Sequence, residues 1–307
     1  MNFNLLEIHD SFEDKKSTEL LRVYSIIPRF SMIKNGPKAE QAERVVCFLQ
    51  NVDKELKKQN PSWKNIWMDS LAYNFSRFTC KDWFIGRASV PIIALIKLEQ
   101  FGYQKEVEEL VNTCDFFSSS RNRPFKLPRY MSADLAYITG AILGDGHIRK
   151  KDYKIRYELN DNELVEKFVK KIEELFEQKL VIRPRIDRTA RRYCINLDNK
   201  AVFRLFVKCL HLPRGKKSNI IIVPEIISSS TKEIGLAFLE GVYDTEGCIT
   251  EKRLRITSAS KQFRDGICAL LEKIGENGRR DEWVNKKYHK RYFGLKYSFA
   301  KLPFLQE

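Results

Sequence analysis

Two short segments of the 307-residue chain end alike, and their ends could do chemistry. Ile138-Thr-Gly140-Ala-Ile-Leu-Gly144-Asp145-Gly146 and Leu239-Glu-Gly241-Val-Tyr-Asp-Thr245-Glu246-Gly247 each run from an apolar stretch into a small residue, a carboxylate and a glycine, and the two acids stand 101 positions apart. Gly140 and Gly144, and likewise Gly241 and Thr245, fall four residues apart. Read as helices, both segments show a stripe of small residues on which a second backbone can pack closely. Packed together, they set Asp145 and Glu246 side by side at the negative ends of two helix dipoles, which costs energy unless a cation is present. Carboxylate and backbone carbonyl oxygens select a hard divalent ion, Mg²⁺ or Mn²⁺, with water or phosphate completing its shell. Solvated carboxylates on a helix pair would explain one copy; the repeat of the whole pattern favours the metal site. Gly146 and Gly247 are predicted to take the left-handed conformation just past each helix.

The elements that must hold these acids repeat as well. After the first copy the patterning predicts a strand over 154–160, a helix over 162–176, strands near 180–186 and 192–197, and a helix near 200–210. After the second it predicts a strand over 253–257, a helix over 261–274, and strands near 283–285 and 291–297. The strands alternate. Ile155, Tyr157 and Leu159 face one way and Lys154, Arg156, Glu158 and Asn160 the other, while Leu254 and Ile256 oppose Arg253, Arg255 and Thr257. Arg183, Arg185, Arg192, Lys290 and Lys296 continue the basic face. Two half-buried sheets flanking a carboxylate pair, with open faces rich in Arg, Lys, Asn and Thr, suit a nucleic-acid duplex.

The charge balance agrees. The chain carries 55 Lys and Arg against 40 Asp and Glu, a net +15. Residues 1–128 hold 19 against 16, and residues 129–307 hold 36 against 24, so +12 lies on the repeat-bearing part. No run of about 18 apolar residues exists, the N-terminus does not read as a signal peptide, and seven scattered cysteines lack any C-x-x-C. The expectation is a reduced, intracellular protein of cytoplasm or nucleoid with no membrane partner. Cys209-Leu-His211 is too sparse for zinc.

The two copies resemble the LAGLIDADG (dodecapeptide) motif of homing endonucleases in their single-chain, two-motif form, over about residues 128–300. That resemblance implies an α+β fold, a pseudo-two-fold duplicated αββαββα saddle, with a first repeat near 130–212 and a second near 230–307. It implies metal-dependent cleavage of a long, nearly palindromic double-stranded DNA site by a monomer. Asp145 and Glu246 match the catalytic acids, and the carbonyls of Gly144 and Thr245 the neighbouring metal ligands. The basic residue near the centre falls to Lys217 or Lys216, with Lys261 as a weaker second-repeat counterpart. The strand faces named above, with His147, Arg149 and Lys261, become candidate DNA contacts. Asn160 stands where relatives often carry Gln or Lys, and 299–304 is at most a stub of a last helix. With no nucleophile at its start and no His-Asn at its end, the chain reads as free-standing rather than an intein. The alternative is a weak or inactive relative serving as a DNA-binding regulator or an RNA intron maturase.

Residues 1–125 are predicted to form a separate helical domain. Ala42, Val45, Val46, Leu49, Val52 and Leu56 recur at helical spacing up to Asn60-Pro61. Further helices are predicted over 63–78, 90–101 and 105–117. The last two, joined at Gly102, could be a helix-turn-helix or a packed hairpin. The Ser- and Pro-rich stretch near 118–128 reads as a linker.

Overall fold

The computed structural model describes residues 3, 36–71, 76–118, 124–186, 191–250, 253–287 and 289–298. The chain forms two compact units, one of residues 4–129 with 176–178, the other of residues 1–3, 130–175 and 179–307. Among the described residues no helix is long and apolar enough to cross a membrane, and all seven cysteines are free.

The first unit is helical around a tryptophan core. Helix Pro37–Gln59 stops before Asn60, and its buried stripe is Ala42, Val45, Leu49, Val52 and Leu56. The single helix expected over 63–78 is instead two, Trp63–Ser70 and Arg77–Phe84, because Ser76 starts a new helix by accepting from the Thr79 amide at 3.1 Å. Trp63, Trp67 and Trp83 are fully buried, and the Trp67 indole donates to the Ala94 carbonyl at 2.8 Å. Helix Ile92–Ile96 passes into a 3₁₀ turn, Lys97–Phe101, closed by Gly102 at φ +90°.

Helix Gln104–Asn112 stops short of the expected 117, because Phe116–Ser118 (β1) pairs antiparallel with Pro124–Lys126 (β2). Buried Gln41 holds that hairpin, donating to the Phe116 carbonyl at 2.6 Å and accepting from the Asp115 and Phe116 amides. Part of the stretch read as a linker is thus a strand of the first unit, with Phe125 and Leu127 buried, and the unit runs to Arg129 rather than 125. Helix Gln104–Asn112 exposes Glu106, Glu108 and Glu109 against one lysine, Lys105. That surface repels phosphate, which argues against a DNA-reading helix-turn-helix.

In the second unit the first motif helix, Ala133–Gly144, is buried from Leu135 through Gly144, as a helix apolar on all sides must be. Ser132 caps it by accepting from the Leu135 amide. Next come β3 (His147–Ile148), β4 (Lys154–Leu159), helix Asn162–Phe176, β5 (Arg183–Ile186), β6 (Arg191–Asp198) and helix Lys200–Arg204, which widens to π geometry over Leu205–Cys209. The second motif helix, Lys232–Glu246, is followed by β7 (Gly247–Thr250), β8 (Arg253–Ser258), helix Lys261–Ile274, β9 (Arg279–Asn285) and β10 (Lys290–Ser298). The sheet orders match, β3-β4-β6-β5 and β7-β8-β10-β9, all neighbours antiparallel. This is the expected doubled αββαββ arrangement. The stub at 299–304 lies outside the described residues. Ile155, Tyr157, Ile195 and Leu197 pack under the first sheet, and Leu254, Ile256, Leu295 and Tyr297 under the second.

Candidate active site

Glycine sets the distance between the motif helices. A Cβ on Gly140 would lie 2.3 Å from the Phe238 carbonyl oxygen, one on Gly241 2.0 Å from that of Tyr137, and one on Gly144 1.9 Å from Thr245 Oγ1. These backbones touch, as the small-residue stripes predicted. Gly146 and Gly247 correct the expectation made for them. Neither has positive φ, and Gly247 is extended at φ −77°, ψ 141°. They are glycines for want of space. A Cβ on Gly146 would meet Ile142 Cα at 2.6 Å, and one on Gly247 would meet the Tyr243 carbonyl oxygen at 2.5 Å.

Asp145 caps the first motif helix and Glu246 is the last residue of the second. Asp145 keeps an opening to solvent, yet the packing around its carboxyl raises its pKa, with Lys217 and Arg192 acting in the opposite sense. Burial, then the negative charge of Asp145, pushes Glu246 up to about 7. Lys217 enters from the connection between repeats. Its Nζ donates to the carbonyls of Ile142, Leu143 and Gly144 at 2.5, 2.7 and 2.5 Å, closing the C-terminus of the first motif helix with a cation where the dipole is negative. Burial lowers its pKa to about 8, against the pull of Glu246 and Asp145. Gly215 at φ +78°, its amide donating to the Ile148 carbonyl at 2.7 Å, turns the chain so that Lys217 points inward while Lys216 is exposed.

Of the expected metal ligands, Asp145 and Glu246 are brought together. The Gly144 carbonyl is already engaged by Lys217; the Thr245 hydroxyl, a different atom from the carbonyl expected as a ligand, is bonded back to Gly241 and Val242 in its own helix. Among the described residues no group of three or more His, Cys, Asp or Glu forms. Two carboxyls raised by burial, one of them also by its neighbour's charge, fit a hard divalent ion with most of its shell left to water and phosphate.

The sheet faces carry the remaining candidates in varied states. His147, Asn160, Arg183, Arg192 and Lys290 are exposed. Arg149 pairs with Asp152 at 3.0 Å, Lys154 with Asp198 at 3.5 Å, Lys296 with Asp281 at 2.6 Å, and Arg156 with Glu158. Arg255 lies over the Trp283 ring at 4.5 Å, and Thr257, two residues on in the same strand, is half-buried. The side chains of Arg185 and Arg253 lie outside the described residues. Lys261 opens a helix and is not on a strand face; Arg192 is the second cation that acts on Asp145.

Sequence reasoning missed a network beside the acids. Buried Tyr137 donates to Asp244 Oδ2 at 2.7 Å, and Lys167 donates to the same oxygen at 2.8 Å and pairs with Glu240 at 2.7 Å. The signal was Asp244 itself, a second acid inside the motif, two residues before Glu246.

Residues 233–302 match the LAGLIDADG-like domain. The chain is 30% identical over 176 residues to the replication factor C small subunit of Methanocaldococcus jannaschii, and 29% identical over 175 residues to a probable translation initiation factor IF-2 of the same organism. Those matches cover 55% and 53% of the chain but only 9% and 14% of the two relatives' own lengths. Among solved structures, a mesophilic variant of the homing endonuclease I-DmoI is similar at a TM-score of 0.41 and 21% identity, over 57% of this chain and 93% of that one. The matched residues take in nearly all of the second motif helix, its sheet and its acid, so the chain carries a LAGLIDADG-like domain there, and the first repeat is built to the same strand plan.

Proposed function

We propose that the chain is a site-specific endonuclease that hydrolyses both strands of duplex DNA, acting as a monomer with Mg²⁺ or Mn²⁺. The observation that carries this reading is the meeting of Asp145 and Glu246 at the joined ends of two motif helices, between two sheets with basic open faces. Asp145 and Glu246 would hold and orient a divalent cation, which would supply charge neutralisation at the scissile phosphate and a bound water of lowered pKa. Lys217 has its Nζ donating to three carbonyls, so it works as a fixed positive charge and as the clamp of the helix that carries Asp145, not as a proton donor. Arg192, exposed and close enough to act on Asp145, is placed to meet a phosphate.

The test uses a plasmid bearing a duplex selected by binding to the purified chain. With Mg²⁺ or Mn²⁺ the wild type should linearise it, and Asp145→Asn and Glu246→Gln should each stop cutting while binding persists. Retarded but uncut DNA across both metals would defeat the nuclease reading and support a binding module.

A further inference from the structure

On the open face of the second sheet one cation is held unlike its counterpart. Strand register sets His147 opposite Arg156 and Cys248 opposite Arg255, and His147 and Cys248 each stand two residues past a motif acid. Arg156 and Arg255 therefore occupy equivalent places in the two sheets. Arg156 is occupied, donating through Nε and Nη2 to Glu158, two residues on in the same strand. The residue two on from Arg255 is Thr257, and Arg255 forms no ion pair among the described residues. Its cross-strand neighbour Lys296 takes up Asp281 instead.

Aromatic rings hold Arg255 in place. Its guanidinium carbon lies 4.5 Å from the centroid of Trp283, which packs nearly parallel to Tyr292, 6.0 Å away at 19°. Gly294 makes room, since a Cβ there would come within 2.8 Å of Trp283 Cζ3. Arg255 Nε is buried without a hydrogen-bond partner, so its bonding capacity lies at the outer edge of the guanidinium. A guanidinium stacked on an aromatic face loses little further freedom on binding and keeps its paired donors free.

Resting on the duplex-DNA reading above, we infer that Arg255 is a guanine-reading residue for the half-site under the second sheet and that Trp283 is its positioning residue. A guanidinium presents paired donors to guanine O6 and N7 in the major groove. The base pair at the equivalent place under Arg156 is read weakly, because Glu158 already holds that guanidinium. The recognised site thus departs from two-fold symmetry at this base pair.

The experiment selects duplexes from a random pool with the full chain in a chelating buffer, so that nothing is cut, and reads base preference at each position. Wild type should favour a guanine in one half with no equal preference at the mirror position. That preference should fall about tenfold in Arg255→Lys and several-fold in Trp283→Ala, while Trp283→Phe keeps most of it. The salt dependence of binding should be the same in Trp283→Ala as in wild type, because phosphate contacts are untouched. An undiminished guanine in either Arg255→Lys or Trp283→Ala, or a site symmetric at this base pair, overturns the assignment. A wild-type chain that enriches no duplex overturns the duplex reading itself, and the two failures are thereby told apart.

Discussion

Lys217 Nζ lies 2.5 Å from the carbonyl oxygen of Gly144, the residue that precedes the first motif acid. The same ammonium serves Ile142 and Leu143, so one side chain satisfies three carbonyls that the end of the helix leaves open. Lys217→Met is therefore expected to lower DNA cutting about a hundredfold, the usual scale for removing one fixed charge at a reacting phosphate or oxyanion. It should also cost about 1–3 kcal/mol of stability, because the carbonyls lose their partner. Lys216→Met should change neither. Cleavage rates and urea melts of the two variants decide it, and equal behaviour would remove Lys217 from the site.

The acid pair predicts a metal effect that grows with pH. Glu246 is raised from 4.5 to about 7, so the folded chain holds this proton more tightly than the unfolded one. Its contribution to stability is present below about 4.5 and is lost as pH rises through 7. Lys217 is lowered from 10.5 to about 8, so its proton is held less tightly when folded, and stability returns as pH rises above 8. Metal-free protein should be most penalised by this pair between about pH 7 and 8. A divalent ion relieves that penalty where both acids are ionised, so the rise in Tm on adding Mg²⁺ should be larger at pH 8 than at pH 5.5. In Glu246→Gln the pH-dependent part should vanish. Equal shifts at both pH values in wild type would contradict the proposed ion site.

The acids and the doubled topology were legible because they rest on signals that repeat: the four-residue spacing of small residues, the terminal carboxylates, and strand alternation at 154–160 and 253–257. Which neighbouring lysine turns inward was not, since Lys216 and Lys217 differ only in the local turn that Gly215 begins. Gly146 and Gly247 show a related limit. Their glycine requirement was evident, but positive φ and close approach demand the same residue, and only the geometry separates them. The role of Trp283 was hidden for another reason. Register places it with Tyr292 on the polar face of the sheet, opposite to where an aromatic residue ordinarily packs.

Close backbone approach makes the motif glycines far less replaceable than other helical glycines. A methyl on Gly241 would stand 2.0 Å from the Tyr137 carbonyl oxygen and 3.0 Å from the Ala141 amide, both main-chain atoms that cannot turn aside. Gly241→Ala should cost about 3 kcal/mol or more, since relief needs the helices to move apart. Gly235, near the start of the same helix, would place its methyl 3.6 Å from Leu270 Cδ2, an ordinary contact. Gly235→Ala should be neutral or gain about 0.5–1 kcal/mol from helix propensity. Denaturant midpoints compare the pair directly, and a similar cost at both positions would argue against helix contact at the motif.

The Tyr137, Asp244 and Lys167 cluster exists on one side only of the pseudo-two-fold. At the motif offset of 101 residues, the counterparts of Tyr137 and Asp244 are Phe238 and Leu143, both apolar and buried. Asp244, 7% exposed in its side chain, accepts from both Tyr137 and Lys167. Lys167→Met should then cost about 3–5 kcal/mol, by leaving a buried carboxylate without its cation. Tyr137→Phe should cost about 1–2 kcal/mol, because Asp244 keeps the lysine. Apolar residues already fill the symmetric place, so Lys167→Met combined with Asp244→Leu should recover much of the single-variant loss. Urea melts of the two single variants and the pair close the cycle. Additive losses would mean that Lys167 stabilises the chain through Glu240 and not through the motif helix that carries Glu246.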